Sequence, residues 1–266
     1  WSVQRPSVGM DGPVNAGAVT LVDADQVPGV GAAKPTGRAL RVTLRPYSLS
    51  NPGTTAIPDG DIHNSSGYYA NRAEVYGRFP VGRMSSTPAA QWPDPVGSER
   101  WWSVSILIPE GFQFARNGEW LSLVQWKGLR GGSPPFAIEV KGNRFRLGGS
   151  RVNLNSLPGL PAPGDGRIGP AIVPGEWHQL VVGMKLSTAA TSGWIEVWID
   201  GVQYVSRTAI ATMDTYGGTG DTFADPIYLK QGIYRGPEWA STNEVYFGPT
   251  VVGGSMIGVT SPAASG

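Results

Sequence analysis

Apolar and polar residues alternate in short stretches along this chain: RALRVTLRP (38–46), NRAEVYGRF (71–79), RWWSVSILIP (100–109), WLSLVQWKG (120–128), PFAIEVKGNRFRLGG (135–149), EWHQLVVGMKL (176–186), GWIEVWIDGVQYV (193–205), PIYLKQGIYRG (226–236) and NEVYFGPTVV (243–252). A period of two marks a strand with one face turned to a core. Gly, Pro, Asn, Asp or Ser bounds each stretch, as turns require. Gly142-Asn143 and Asp200-Gly201 sit between two such runs and predict tight hairpins. Residues 1–37 are loosely patterned, with one strand-like run, AVTLVDAD (18–25), and residues 253–266 form a small-residue tail. No segment keeps a helical period over about eleven residues. The expected fold is all-β, a two-sheet antiparallel sandwich of the jelly-roll (concanavalin-like) type with a concave groove, formed by residues 1–266 as one domain.

Several strands carry a polar face too rich to be only solvated. In YLKQGIYR, alternation puts Tyr228, Lys230, Gly232 and Tyr234 on one side. NRAEVYGR does the same with Arg72, Glu74, Tyr76 and Arg78, and SLVQWKG with Leu123, Gln125 and Lys127. The hairpin after it offers Glu139 and Lys141 on one arm, Arg144 and Arg146 on the other. Polar side chains on the hollow face of a curved sheet are the natural lining of a ligand groove.

Composition narrows the chemistry. The 266 residues include 38 Gly and 23 Pro, with 10 Trp, 9 Tyr and 7 Phe, a mixture that suits many strands joined by turns. The absence of cysteine excludes disulfides, thiol catalysis and thiolate metal sites. No apolar run approaches the roughly 18 residues of a membrane span. A start at Trp1 without methionine leads to the expectation of a processed product, secreted or carried on a virion. Net charge is only +1, yet Arg130, Lys141, Arg144, Arg146 and Arg151 face Glu139 alone between positions 130 and 151. Such a local field favours a polyanion, and a solvated strand face explains it equally well.

Glycoside hydrolysis usually needs two carboxyl groups flanking the scissile bond. The motif Glu-x-Asp-x-x-Glu is absent here. Eliminative cleavage of a uronic-acid polymer needs a cation or amide dipole on the carboxylate, a base for the α-proton and an acid for the leaving oxygen. Arg, Lys, Gln and Tyr meet those needs.

WWSVSILIPEGF (101–112), LVQWK (123–127), the Arg-x-Glu of Arg72 and Glu74, and KQGIYR (230–235) together resemble the polysaccharide lyases grouped with heparin lyase I and glucuronan lyase, in order from about residue 38 to 250. The resemblance implies a β-jelly roll that cleaves acidic polysaccharide by β-elimination. It places catalytic roles on Tyr234 and Lys230 and a carboxylate-contacting role on Gln125. Heparin lyase I-like enzymes carry a histidine near the Gln-Trp segment, where this chain has Lys127, so His63, in the polar loop DGDIHNSSG, is retained as a catalytic candidate. Arg72, Glu74, Lys127, Lys141, Arg144 and Arg146 are the expected substrate-binding residues. Lys230 and Tyr234 lie about 13 Å apart along a strand at about 3.3 Å per residue. An ammonium leaning toward a phenol favours its ionised form, and Gly232 between them is expected to leave room for a sugar ring.

Bland readings compete for several of these. Strand tyrosines pack well on a pleat, which is the preferred reading for Tyr228 and Tyr76. Arg72 with Glu74 reads first as structural support, and His178 as a structural strand residue. Asp59, Asp61, Asp214, Asp221 and Asp225 offer oxygen ligands for a structural calcium, although no EF-hand loop is present. No cofactor is expected for the chemistry. The expected partner is an acidic polysaccharide bound by a monomer. Nucleic-acid binding is disfavoured by the low net charge. A non-catalytic carbohydrate-binding sandwich, such as an adhesion or phage-tail module, is the alternative function.

Overall fold

The computed structural model describes residues 2–4, 19–44, 61–63, 69–76, 95–114, 120–128, 132–152, 167–216, 223–236, 239 and 241–260, with the backbone alone at 2–4, 61–63, 69–72, 76 and 167–168. Strands are numbered in chain order. The front sheet runs β1 (Ser2–Gln4), β5 (Tyr69–Tyr76), β16 (Ile227–Arg235), β7 (Leu121–Gly128), β8 (Phe136–Lys141), β9 (Arg144–Gly148) and β10 (Arg167–Ala171), with β4 (Asp61–His63) also on β5. The back sheet runs β13 (Val202–Ala209), β12 (Trp194–Ile199), β11 (Trp177–Lys185), β6 (Glu99–Leu107), β17 (Asn243–Phe247), β3 (Arg38–Leu44) and β2 (Val19–Asp23), with β18 (Val251–Gly253) beside β6. All pairings within the two sheets are antiparallel. The pair β14 (Thr215–Tyr216) and β15 (Phe223–Ala224) stands apart, and α1 (Met256–Thr260) is one short turn of helix.

The predicted strands and the two hairpins are present. Gly142 at φ 58° opens the β8–β9 turn, and Asp200 at φ 51° with Gly201 at φ 80° forms the β12–β13 turn, which needs positive φ at both centres. One core cluster takes residues from both sheets, with Trp102 of β6 edge-on to Trp126 of β7 at 5.7 Å between centroids. These rings fill the gap between sheets that stack about 10 Å apart.

Both chain ends depart from the expectation. Residues 1–37 contribute two strands, β1 on the front sheet and β2 on the back, plus a short 3-10 turn at Ala24–Gln26. The tail is not featureless. Its first residue, Gly253, ends strand β18 beside β6, and Val259 of α1 is buried against Trp101, Val181 and Trp194 on the outer face of the back sheet.

Candidate functional site

Strand β16 lies between β5 and β7, so the three strands with the richest polar faces are neighbours. Register brings their residues together in rungs. Lys230 is opposite Gln125 on β7 and Tyr76 on β5. A second rung crosses six strands: Arg72, Tyr234, Ser122, Glu139, Arg146 and Arg167 are successive Cα partners.

Beneath the first rung is a buried polar cluster. Lys230 Nζ donates to Glu74 Oε2 at 2.5 Å, and Gln125 Nε2 donates to Glu74 Oε1 at 2.5 Å. All three residues are 2% exposed or less. A buried carboxylate requires such compensation, since each charge would otherwise lose its hydration without return. Glu74 therefore organises the floor, and its two partners are held by it.

Tyr234 is half-buried above this floor. Its ring packs edge-on against Trp120 at 4.7 Å between centroids, and the Lys230 ammonium is 6.0 Å from its centre. A groove of about 560 Å³ opens here, lined by Tyr234, Lys230, Gln125, Trp120, Ser122 and Glu139, with Lys127 and residues 132–134 and 149–150 completing the wall. Lys127 Nζ donates to the Gly132 carbonyl at 2.6 Å. Tyr246 is a phenol on β17 of the back sheet. Burial, with Glu244 accepting its proton in a hydrogen bond, pushes it up to about 12, so it stays protonated.

On the far side of the groove, Glu139 Oε2 accepts from Arg146 Nη1 at 2.6 Å and Oε1 accepts from Ser122 Oγ at 3.3 Å. Burial raises its pKa, outweighing the lowering by Arg146. Arg144 donates to the Gly169 carbonyl at 2.7 Å, toward β10. Lys141 is the register partner of Arg144 at the hairpin end. The groove lining thus includes Glu139 but none of Lys141, Arg144 and Arg146.

Two expectations are corrected. Gly232 does not hold open space for a sugar. Its φ is +150°, and a Cβ there would lie 2.1 Å from the Ala73 carbonyl oxygen of β5, so the glycine serves close strand contact at a bulge. Leu123 does not share a face with Gln125. The register shifts between Ser122 and Val124, which sends Leu123 into the core and turns Ser122 to the groove. Ser122 and Trp120 are the site residues that the sequence reading missed, whereas Glu139 had been placed on a polar strand face without a role. Trp120 directly precedes the strand and was visible as an aromatic flank, whereas a bulge without Gly or Pro leaves no signal.

His63 pairs with Tyr69 on the β4 edge of the front sheet, and Arg72 sits across from Tyr234; both side chains lie outside the described residues. His178 is buried, with Nδ1 2.8 Å from Asp200 Oδ2 and its ring against Phe145, in keeping with a structural role. Among the described residues no group of three or more His, Asp or Glu is placed to hold a metal ion. Asp214 pairs with Arg151 at 2.6 Å and Asp225 is buried, while Asp59, Asp221 and the Asp61 side chain lie outside the described residues. No described helix is long and apolar enough to cross a membrane.

The family model described as polysaccharide lyase matches residues 20–249. The chain belongs to this polysaccharide lyase family. No curated protein sequence matches it significantly. Among solved structures it is similar to the endo-β-1,4-glucuronan lyase of the fungus Trichoderma reesei, with TM-score 0.56 and 17% identity over 96% of this chain and 95% of that one. An alginate lyase from Aplysia kurodai aligns with TM-score 0.45 and 14% identity over 89% and 90% of the two chains. A β-glucanase catalytic domain from Podospora anserina aligns with TM-score 0.48 and 10% identity over 94% and 84%. The first likeness establishes the shared jelly-roll architecture.

Proposed function

We propose that this lyase cleaves a uronic-acid-containing polysaccharide by β-elimination, as a secreted monomer, with Tyr234 as the proton-transfer residue. The observation that carries this reading is the position of the Tyr234 phenol. Tyr234 lines the groove together with Lys230 and Gln125, its ring centre 6.0 Å from the Lys230 ammonium. In the reaction, ionised Tyr234 takes the proton α to the uronate carboxylate. The resulting electron pair forms the ring double bond as the glycosidic carbon–oxygen bond breaks, and the phenol returns its proton to the leaving oxygen. Lys230 and Gln125, both held by Glu74, form the floor on which the uronate carboxylate is seated.

Hydrolysis finds less support in the groove. Glu74 is tied to Lys230 and Gln125, and Glu139 to Arg146 and Ser122, so neither carboxylate is placed as an unencumbered member of the pair that hydrolysis uses. The deciding experiment is ultraviolet absorbance after incubation with glucuronan, alginate, heparin and a neutral glucan. Elimination creates a conjugated double bond that hydrolysis does not. Absorbance growth with a uronate polymer supports the reading; reducing ends without absorbance, or binding without any cleavage, would sink it.

A further inference from the structure

The hairpin of β14 and β15 is bound at its base to the wall of the groove. Ser150 lines the groove, and Arg151, the next residue, donates from Nε to Asp214 Oδ1 at 2.6 Å. On the other strand, Asp225 lies against Gly128, the residue after groove-lining Lys127, so closely that a side chain on Gly128 would run into its carboxyl. The Asp225 amide donates to the Asp214 carbonyl at 2.7 Å and closes the base. Beyond this clamp, Tyr216 and Phe223 are cross-strand partners, with ring centres 5.7 Å apart and planes inclined by 34°. Ala224 packs against the core cluster, so alternation turns the two rings away from the core, and Phe223 is 53% exposed.

We infer that Tyr216 and Phe223 form a second sugar-binding platform, on which the polysaccharide stacks a unit that lies beyond the groove. The inference rests on the uronate reading above and adds the length of chain recognised. Strand β7 lines the groove from Ser122 to Lys127, about 16 Å at about 3.3 Å per residue. A space of about 560 Å³ encloses a ligand of drug size, so a polymer continues past its ends. A chain leaving by the Lys127 end passes residues 132–134 and 149–150 and next meets Arg151, Asp214 and the hairpin. A pyranose carries C–H groups on its face and hydroxyls on its rim. Its face gains dispersion contact on an aromatic ring while its rim stays in water. The ring pair also stabilises the hairpin, as cross-strand aromatics do, but that pairing leaves more than half of Phe223 in solvent.

The test is calorimetric binding to the full chain carrying Tyr234→Phe to prevent turnover, with a glucuronate trisaccharide and a glucuronate dodecasaccharide as probes. The longer probe is expected to bind more tightly than its number of overlapping registers accounts for. Adding Phe223→Ala should lower the ratio of the two affinities by about three- to tenfold, the scale of one aromatic contact. Phe223→Trp should restore it. The loss should be equal at low and high salt, because stacking, unlike charge attraction, is not screened. A ratio unchanged in folded Phe223→Ala overturns the platform and leaves the uronate reading standing, as does a loss that disappears at high salt. Should Phe223→Ala fail to fold, Phe223→Leu, which keeps an apolar partner for Tyr216, decides by the same comparison. An unchanged ratio with a lower sedimentation coefficient also overturns the platform and assigns the rings to contact with a second copy of the chain. Binding of neither probe overturns the uronate reading itself, and the platform with it.

Discussion

Lys230 Nζ and Glu74 Oε2 are 2.5 Å apart, and both side chains are 2% exposed. A pair this deep is held by mutual compensation, and removing one partner leaves the other charge buried against its desolvation cost. Glu74→Gln is expected to destabilise the fold by about 3–5 kcal/mol. Thermal or urea unfolding of the variant checks this. A change below about 1 kcal/mol would show that the floor is not organised by Glu74.

Tyr234→Phe keeps the ring against Trp120 and removes only the phenolic oxygen. Turnover is expected to fall by about 10² to 10⁴, the usual contribution of a positioned acid–base group. Polymer binding should change little. Should Tyr234→Phe retain activity while His63→Ala abolishes it, the proton-transfer role moves to the histidine on β4.

Gly232→Ala separates two roles for one residue. If the missing side chain made room for a sugar, the variant would fold normally and lose only affinity. The approach of a Cβ to the Ala73 carbonyl instead predicts lost stability, by about 1–3 kcal/mol for backbone strain alone, together with weakened activity. Melting temperature and Kd measured on the same preparation distinguish these.

Glu139 gives stability a pH signature. Its folded pKa lies above the ordinary 4.5, so between that value and the raised one the folded state binds more protons than the unfolded chain. Stability from this group is full below the unfolded pKa and is lost as pH rises through the folded pKa. Glu139→Gln should therefore compare more favourably with the parent above this window than below it. Unfolding curves across mildly acidic to neutral pH give the comparison, and parallel profiles for the two proteins would refute it.

Added salt should weaken binding of a uronate polymer, because attraction between exposed charges is screened beyond about 8–10 Å at ordinary ionic strength. A Kd insensitive to salt would favour recognition through hydroxyls alone, as in a neutral-glycan adhesin.

The fold was legible because sheet formation leaves its period in the sequence. RALRVTL, WHQLVVGMK and IYLKQGIYR became strands close to where alternation put them. The grouping of Tyr234, Lys230 and Gln125 was also readable, since KQGIYR and LVQWK carry their polar residues in phase. Contact partners were less accessible. Nothing local to Glu74 says that its carboxylate bonds a lysine 156 positions later, since that follows from strand order. The turn of Ser122 toward the groove depends on a register slip that ordinary side chains accommodate. The place of Glu139 at the groove rather than on a solvated arm depends on where the β8–β9 hairpin joins the sheet.

The placement of β16 between β5 and β7 also sets the order in which an enzyme can come into being. Its residues leave a ribosome well after those of both strands that flank it. Until residue 235 is available, β5 and β7 each present an unpaired edge, and the floor beneath Tyr234 has no lysine. Long-range pairing of this kind is slow and leaves edges open to other chains. The nascent protein is thus at once inactive and prone to edge-to-edge association, and a single insertion event ends both conditions.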